Sequence, residues 1–335
     1  MKRREFLQTA ALGLAASAAV SAQKKPQPRV MTVLGEMPAN GLGRTLMHEH
    51  VMVDFIGADK IAPGRYDPEE VFKIALAHLE KLKAVGGQTL VECTPEYIGR
   101  DVSLLRRLSK ASGLHIITNT GFYGAAEDKY VPAVAYKESV DELAMRWSRE
   151  FEDGIPPDNV RPGIIKIGVD SGPLSQIDAK LVRAAARTQK RTGLAIASHT
   201  GNGVAALAEL AVLKEEGVDL SAFIWVHAQN ESDASIHHQA AAQGAWVEFD
   251  GISSKSIAQH VDLVLGMKRA GFLRNVLISQ DAGWYHVGEP EGGEFRGYET
   301  LFTEFLPALR KAGATEDDAQ TLLVRNPHRA LALRG

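Results

Sequence analysis

The 335-residue chain holds one cysteine, Cys93, so no intrachain disulfide can form. Its stability must come from packing, which a chain of this length can supply. Cys93 sits in the apolar run "TLVECTP" and reads as a small buried hydrophobe rather than a catalytic thiol. Excess basic charge is missing too: 38 Lys and Arg against 41 Asp and Glu give a formal net charge of −3. There is no basic footprint and no interleaving of basic and aromatic residues, so no nucleic acid is expected as a partner and a small molecule is. Linkers rich in Pro, Gly and Ser, low-complexity tracts and internal repeats are also lacking. Residues 23–335 are therefore read as a single domain.

The first residues read as an address rather than as fold. "MKRREFLQTAALGLAASAAVSAQ" opens with Lys2, Arg3 and Arg4, runs through an Ala/Leu-rich stretch and closes on Val20-Ser21-Ala22, a small-residue cleavage pattern. The apolar part is too short to span a bilayer, so no stable membrane anchor is expected. "RREFLQ" resembles a twin-arginine export signal, which assigns residues 1–22 to a removable leader and the mature protein to the periplasm.

What recurs after residue 30 is a short apolar run followed by an amphipathic helical pattern. The clearest helix is "DPEEVFKIALAHLEKLKAVGG": Asp67 as N-cap, Pro68 in the first turn, an apolar stripe of Val71, Ile74, Ala75, Leu79 and Leu82, and a stop at Gly86-Gly87. His78 on it belongs to surface or helix packing. Eight runs read as buried parallel strands: "RTLMHEH", "TLVECT", "HIITNT", "IIKIGV", "LAIASH", "FIWVHA", "AWVEFD" and "VLISQD". Eight such units predict a (β/α)8 TIM barrel of the α/β class. A doubly wound open sheet is the alternative, but no G-x-G-x-x-G follows the first strand.

A barrel gathers the C-terminal ends of its strands at one mouth. Strand 1 brings His48 and His50, which share a face because residues i and i+2 of a strand do. Strand 4 carries Lys166, strand 5 ends on His199, strand 6 on His227 and strand 8 on Asp281. Lys166 lies among Ile164, Ile165, Ile167 and Val169, where an ammonium is costly and burial favours the neutral amine. A neutral amine can form a Schiff base with a carbonyl, or take up carbon dioxide and become a carbamate whose two oxygens bridge two cations. The four histidines favour the carbamate, although a Schiff-base lyase stays open. His48, His50 and Asp281 would then hold one divalent ion and His199 and His227 the other. Carboxylated Lys166 would lie between them, and imidazole with carboxylate suits zinc. Asp281 is the expected proton acceptor.

These residues carry a resemblance. "TLMHEH", "GRDVSLLRRLSKASGLHIITNTGFYG", the strand-4 lysine, "ASHTGNG", "VHAQN", "ISQD" and "VRNPHRALAL" resemble the phosphotriesterase family of the amidohydrolase superfamily, over roughly residues 30 to 335. The resemblance implies a binuclear zinc hydrolase with a bridging hydroxide, commonly a homodimer, acting on a lactone, a carboxylic ester or an organophosphate. It also implies that Tyr123 approaches the bridging water. Gln229 and Asn230 stand where efficient phosphotriesterases carry acidic residues, and Gly251 where they have histidine and related lactonases arginine. An organophosphate phosphotriesterase is the alternative activity, and those departures keep open a non-catalytic periplasmic zinc-binding protein. Asp250 is expected to orient backbone near the rim.

The segment "AGWYHVGEPEGGEFRG" after Asp281 reads as an aperiodic substrate-covering loop, with Trp284, Tyr285 and His286 as candidate pocket residues. His237, His238, His260 and His328 are expected to be solvated. His115, at the start of strand 3, falls on the far side of the barrel.

Overall fold

The computed structural model describes residues 27–334; the leader expected over residues 1–22 lies outside them. An antiparallel hairpin, β1 (Arg29–Thr32) and β2 (Gly35–Pro38), comes first. The parallel strands follow: β3 (Thr45–Val53), β4 (Thr89–Glu92), β5 (His115–Ile117), β6 (Asn119–Thr120), β7 (Ile164–Val169), β8 (Ala195–Thr200), β9 (Phe223–Val226), β10 (Trp246–Phe249), β11 (Val276–Ile278) and β12 (Gly283–His286). One sheet runs β12-β3-β4-β5 and the other β6-β7-β8-β9-β10-β11. Strands β5 and β6 are one line of chain broken at Thr118, which joins the two sheets on that side. On the other side Asp281 N donates to His48 O at 3.0 Å and His50 N to Ala282 O at 2.9 Å, closing a (β/α)8 barrel.

All eight apolar runs are barrel strands, and their alternate side chains fill the interior: Met47, Val91, Cys93, Ile117, Ile164, Ala197, Ile224 and Leu277 form one buried cluster. Burial raises the Cys93 thiol well above its ordinary pKa, in keeping with an inert core residue. The opposite faces pack on the surrounding helices, of which Pro68–Ala84 is capped by Asp67 as its sequence predicts. The N-terminal hairpin and the last helix, Asn326–Leu331, cover the bottom of the barrel through Val30, Leu42, Ala330 and Leu331. Among the described residues no helix is long and apolar enough to cross a membrane.

Three expectations change. The chain after Asp281 is not simply a loop, because β12 pairs in parallel with β3, Gly283 opposite His50 and Tyr285 opposite Met52. A Cβ at Gly283 (φ +98°) would fall 1.7 Å from His50 O, so only glycine permits this pairing. His237 and His260 are not solvated but 2% and 1% exposed. The His237 imidazole donates to Ala228 O at 2.7 Å and packs between Trp225 and Phe249, bracing the turn after His227.

Outside the barrel, buried Arg100 grips Glu150 with two bonds of 2.8 and 2.9 Å and donates to Asn119 O, pinning the helix Val140–Glu152 to β6. Burial would raise the Glu150 carboxyl, but the Arg100 attraction outweighs it and the pKa falls below the ordinary value. A depressed carboxylate contributes stability that is complete above its unfolded pKa and lost as pH falls through the folded one. Arg100→Ala should therefore cost about 3 kcal/mol at neutral pH. The urea midpoint would show a smaller deficit once the pH is low enough to protonate Glu150.

Candidate metal centre

The two sheets place the ends of β3, β7, β8, β9 and β11 around one mouth. In β3 the register slips by one residue between Leu46 and Glu49, a bulge that turns both Met47 and His48 inward. His48 Nε2 and His50 Nε2 then lie 3.3 Å apart. His50 Nδ1 is 2.8 Å from the Thr94 hydroxyl, which in turn donates to Glu92. When Nδ1 carries its proton toward that hydroxyl, Nε2 is the ring atom left to bind a cation at the mouth. Burial lowers His48 to a pKa of about 4, so it is neutral and able to ligate at physiological pH.

Asp281 Oδ1 approaches His50 Nε2 at 3.1 Å and His48 Nε2 at 3.7 Å. Burial would raise this carboxyl, but the three imidazoles of His50, His48 and His227 hold it well below the carboxylate range. Its backbone is left-handed (φ 49°), as is that of His227 (φ 62°). Two non-glycine residues in that region, each costing of order 1–3 kcal/mol, mark backbone bent to aim a side chain. Glu49 keeps Asp281 in place: its carboxylate accepts from Ser279 Oγ at 2.7 Å, Gln280 N at 3.0 Å and Ala282 N at 2.7 Å.

His199 and His227 meet edge to face with ring centroids 4.4 Å apart, and His227 lies 5.0 Å from the His48 ring. Asp250 does more than orient rim backbone. Fully buried, it takes the His227 Nδ1 proton at 2.6 Å and His227 N at 3.0 Å. Its second oxygen lies 3.1 Å from His48 Nδ1, off the hydrogen-bonding angle. Burial disfavours protonated His227, but Asp250 outweighs that and raises its pKa. Asp250 is itself clamped by Gln229, whose amide donates at 2.8 Å to the carboxylate and accepts from Asp250 N at 3.1 Å. A Cβ at Gly251 would stand 2.8 Å from Gln229 Nε2 and 3.4 Å from His260 Nε2. Gln229 and Gly251 are thus one packing solution: the glycine makes room for the clamp.

Lys166 is 1% exposed on the β7 strand and, among the described residues, makes neither an ion pair nor a hydrogen bond. Its Nζ lies 5.7 Å from the Tyr123 ring, which packs edge-on against His199 at 5.0 Å. Burial raises the Tyr123 phenol far above its ordinary pKa, so it keeps its proton. Trp284 covers His50 at 4.8 Å, and Phe55 packs at a tilt 5.5 Å from Trp284 and 5.9 Å from His286. Tyr285 leaves the group: it is 5% exposed, faces outward on β12 and donates to Glu70 at 2.9 Å. Alternation along a strand sends Tyr285 to the opposite face from Trp284 and His286.

The ligand atoms of His48, His50 and Asp281 lie within 4.8 Å of one another, as do those of His48, His227 and Asp250. In the second group the carboxylate orients His227 through Nδ1 and lies beside His48 Nδ1; in the first, two imidazole nitrogens and a carboxylate oxygen face one another. A profile of the phosphotriesterase family matches residues 28–331. The chain belongs to that family. Within it, the "Phosphotriesterase homology protein" of Escherichia coli (strain K12) is 29% identical over 289 residues, covering 85% of this chain and 96% of the relative. The "N-acetyltaurine hydrolase" of Dictyostelium discoideum is 29% identical over 277 residues, 78% of this chain and 73% of the relative. The "Aryldialkylphosphatase" of Saccharolobus solfataricus is 24% identical over 297 residues, 85% of this chain and 94% of the relative. Membership makes this chain a hydrolase of a metal-dependent family that acts on small-molecule ester or phosphoester substrates.

Removing the charge that orients His227 should loosen metal binding without unfolding the barrel. Asp250→Asn is expected to weaken binding of an added divalent ion roughly 10- to 100-fold, read by chelator competition on protein whose circular dichroism is unchanged. Unchanged affinity would remove Asp250 from this role.

Proposed function

We propose that this phosphotriesterase-family chain is a zinc-dependent hydrolase of lactones or carboxylic esters, with phosphoesters as poorer substrates. Lys166 carries the reading, as a buried amine without an ion-pair partner among the described residues, on a strand paired with the one that ends at His199. The donor set fits divalent zinc: imidazole lone pairs, a carboxylate oxygen with no hydrogen-bond donor of its own at Asp281 Oδ1, and no thiolate. His48, His50 and Asp281 would hold one ion, His199 and His227 the second, with Lys166 as its carbamate between them. Two cations bound there acidify water and polarise the oxygen of the scissile group.

The chain's own groups supply the rest. Asp281, held ionised by the imidazoles, accepts the proton at its carboxylate. Glu49 fixes the Asp281 backbone, and Asp250 with Gln229 fixes His227. Tyr123 retains its proton and so can only donate toward a substrate oxygen. Trp284 lies over His50 and limits the access of bulk water. One relative is named for N-acetyltaurine and another as an aryldialkylphosphatase, which supports reaction at a carbonyl or phosphoryl centre. The carbonyl is preferred because Gln229 and Gly251 replace the acidic and histidine residues of efficient phosphotriesterases.

Lys166→Ala should abolish turnover and release one or both metals, with partial return of both when short carboxylic acids are added. Full metal content and normal rate in that variant would refute the carbamate. On wild-type protein, kcat/KM across lactones, aryl esters and phosphotriesters should rank the carbonyl substrates first; a large phosphotriester preference would reverse the ordering. The leader assigns the reaction to the periplasm in this proposal. Replacing Arg3 and Arg4 by Lys should leave the precursor inside the cell on fractionation, and undiminished export would contradict that assignment.

A further inference from the structure

Beside the mouth lies an open cleft of about 800 Å³ between the segments that follow β10 and β12, with Asp281 in its wall. Its floor is open at Gly251, where the Gln229 clamp permits no side chain. Two cations line it, Lys255 from the β10 side and Arg296 from the β12 side, and neither has a carboxylate partner among the described residues. Arg296 is fixed in position: Nη1 donates to Asp281 O and Nη2 to Gln280 O, both at 3.0 Å. Those acceptors are neutral, so the guanidinium charge is unmatched and further N–H groups remain to be used. Of the acids in the same cleft, Asp281 is turned to His50, and Glu289 faces the His286 imidazole at 3.9 Å. Glu294 alone remains against the two cations.

The surface adjoining the cleft past His286 is different in kind. Phe55, Tyr130 and Trp284 form an aromatic wall, with Phe55 6.0 Å from Tyr130 and 5.5 Å from Trp284. Wall and cleft meet at His50 and Asp281, where Trp284 covers one residue and the cleft reaches the other.

Building on the hydrolase reading above, we propose that the substrate is two-sided: an apolar acyl portion lies on the Phe55–Tyr130–Trp284 wall, and an anionic group, carboxylate or sulfonate, binds Arg296 and Lys255. The scissile bond between them falls at Asp281. A guanidinium held against the backbone of the proton acceptor receives the anion through charge-assisted hydrogen bonds, and so ties recognition of the substrate to the position of the catalytic carboxylate.

The test is calorimetric and needs no turnover: 1-pentanesulfonate against 1-pentanol on zinc-loaded wild type, Lys255→Met, Arg296→Gln and Arg296→Lys. Wild type should bind the sulfonate at least tenfold more tightly than the alcohol. Lys255→Met and Arg296→Gln should each cut that preference roughly 3- to 10-fold, and Arg296→Lys should retain part of it. Equal affinity for the two ligands overturns the proposal. So does a preference that survives both neutral substitutions and vanishes on chelation, since the anion would then sit on the metals. Hydrolysis of neutral esters without any sulfonate preference would refute this subsite and leave the hydrolase reading standing. An intact, Arg296-dependent preference in a protein that hydrolyses nothing would do the reverse.

Discussion

The barrel closes on a buried carboxylate. Glu49 stands between the two histidines of the first strand, and its oxygens accept three hydrogen bonds from Ser279, Gln280 and Ala282, some 230 residues later in the chain. Ser279 Oγ completes the link by accepting from His48 N at 2.9 Å. Burial pushes the Glu49 carboxyl up to about 8, a cost set against its hydrogen bonds. The consequence is positional: the first and last strands cannot separate, so His48 Nε2 and His50 Nε2 are presented to Asp281 Oδ1 at 3.7 and 3.1 Å. Without that closure three of the six proposed metal-site residues would have no fixed relation.

A second constraint works from the other side. Asp250 reaches from the end of β10 to His227 and His48, and Gln229 locks it there. Gly251 completes the arrangement by leaving room for Gln229, and the same missing side chain opens the cleft beside Asp281. One local arrangement therefore holds Asp250 against His227 and opens the cleft beside Asp281. Departures that leave open a loss of catalysis when read from sequence become, in three dimensions, a coherent support for the site.

Much of this was legible beforehand, and the reasons are specific. Strands buried on both faces are near-continuously apolar, so the eight runs stood out. The polar residue at each C-terminal end marked the mouth, since a barrel has only one such end. Lys166 was conspicuous because nothing else charged breaks its apolar run. Glu49 has no local signature although it lies inside the most informative motif, because its partners are more than two hundred residues away. The pairing of Asp250 with Gln229 has none either, because it crosses two strand ends. Tyr285 was misassigned because "GWYH" looked aperiodic; pairing with β3 makes it a strand, and alternation then turns the tyrosine outward. His237 and His260 looked polar only because their backbone carbonyl partners cannot be seen in a sequence.

The account rests on Lys166 as the shared anionic ligand of two ions. Zinc-edge anomalous diffraction from crystals grown with zinc and bicarbonate addresses it directly. Two anomalous peaks at the mouth, one beside His48, His50 and Asp281 and one beside His199 and His227, with added density on Lys166 Nζ reaching both, are the predicted result. A single peak, or a bare amine at Lys166 with full metal occupancy, would contradict it.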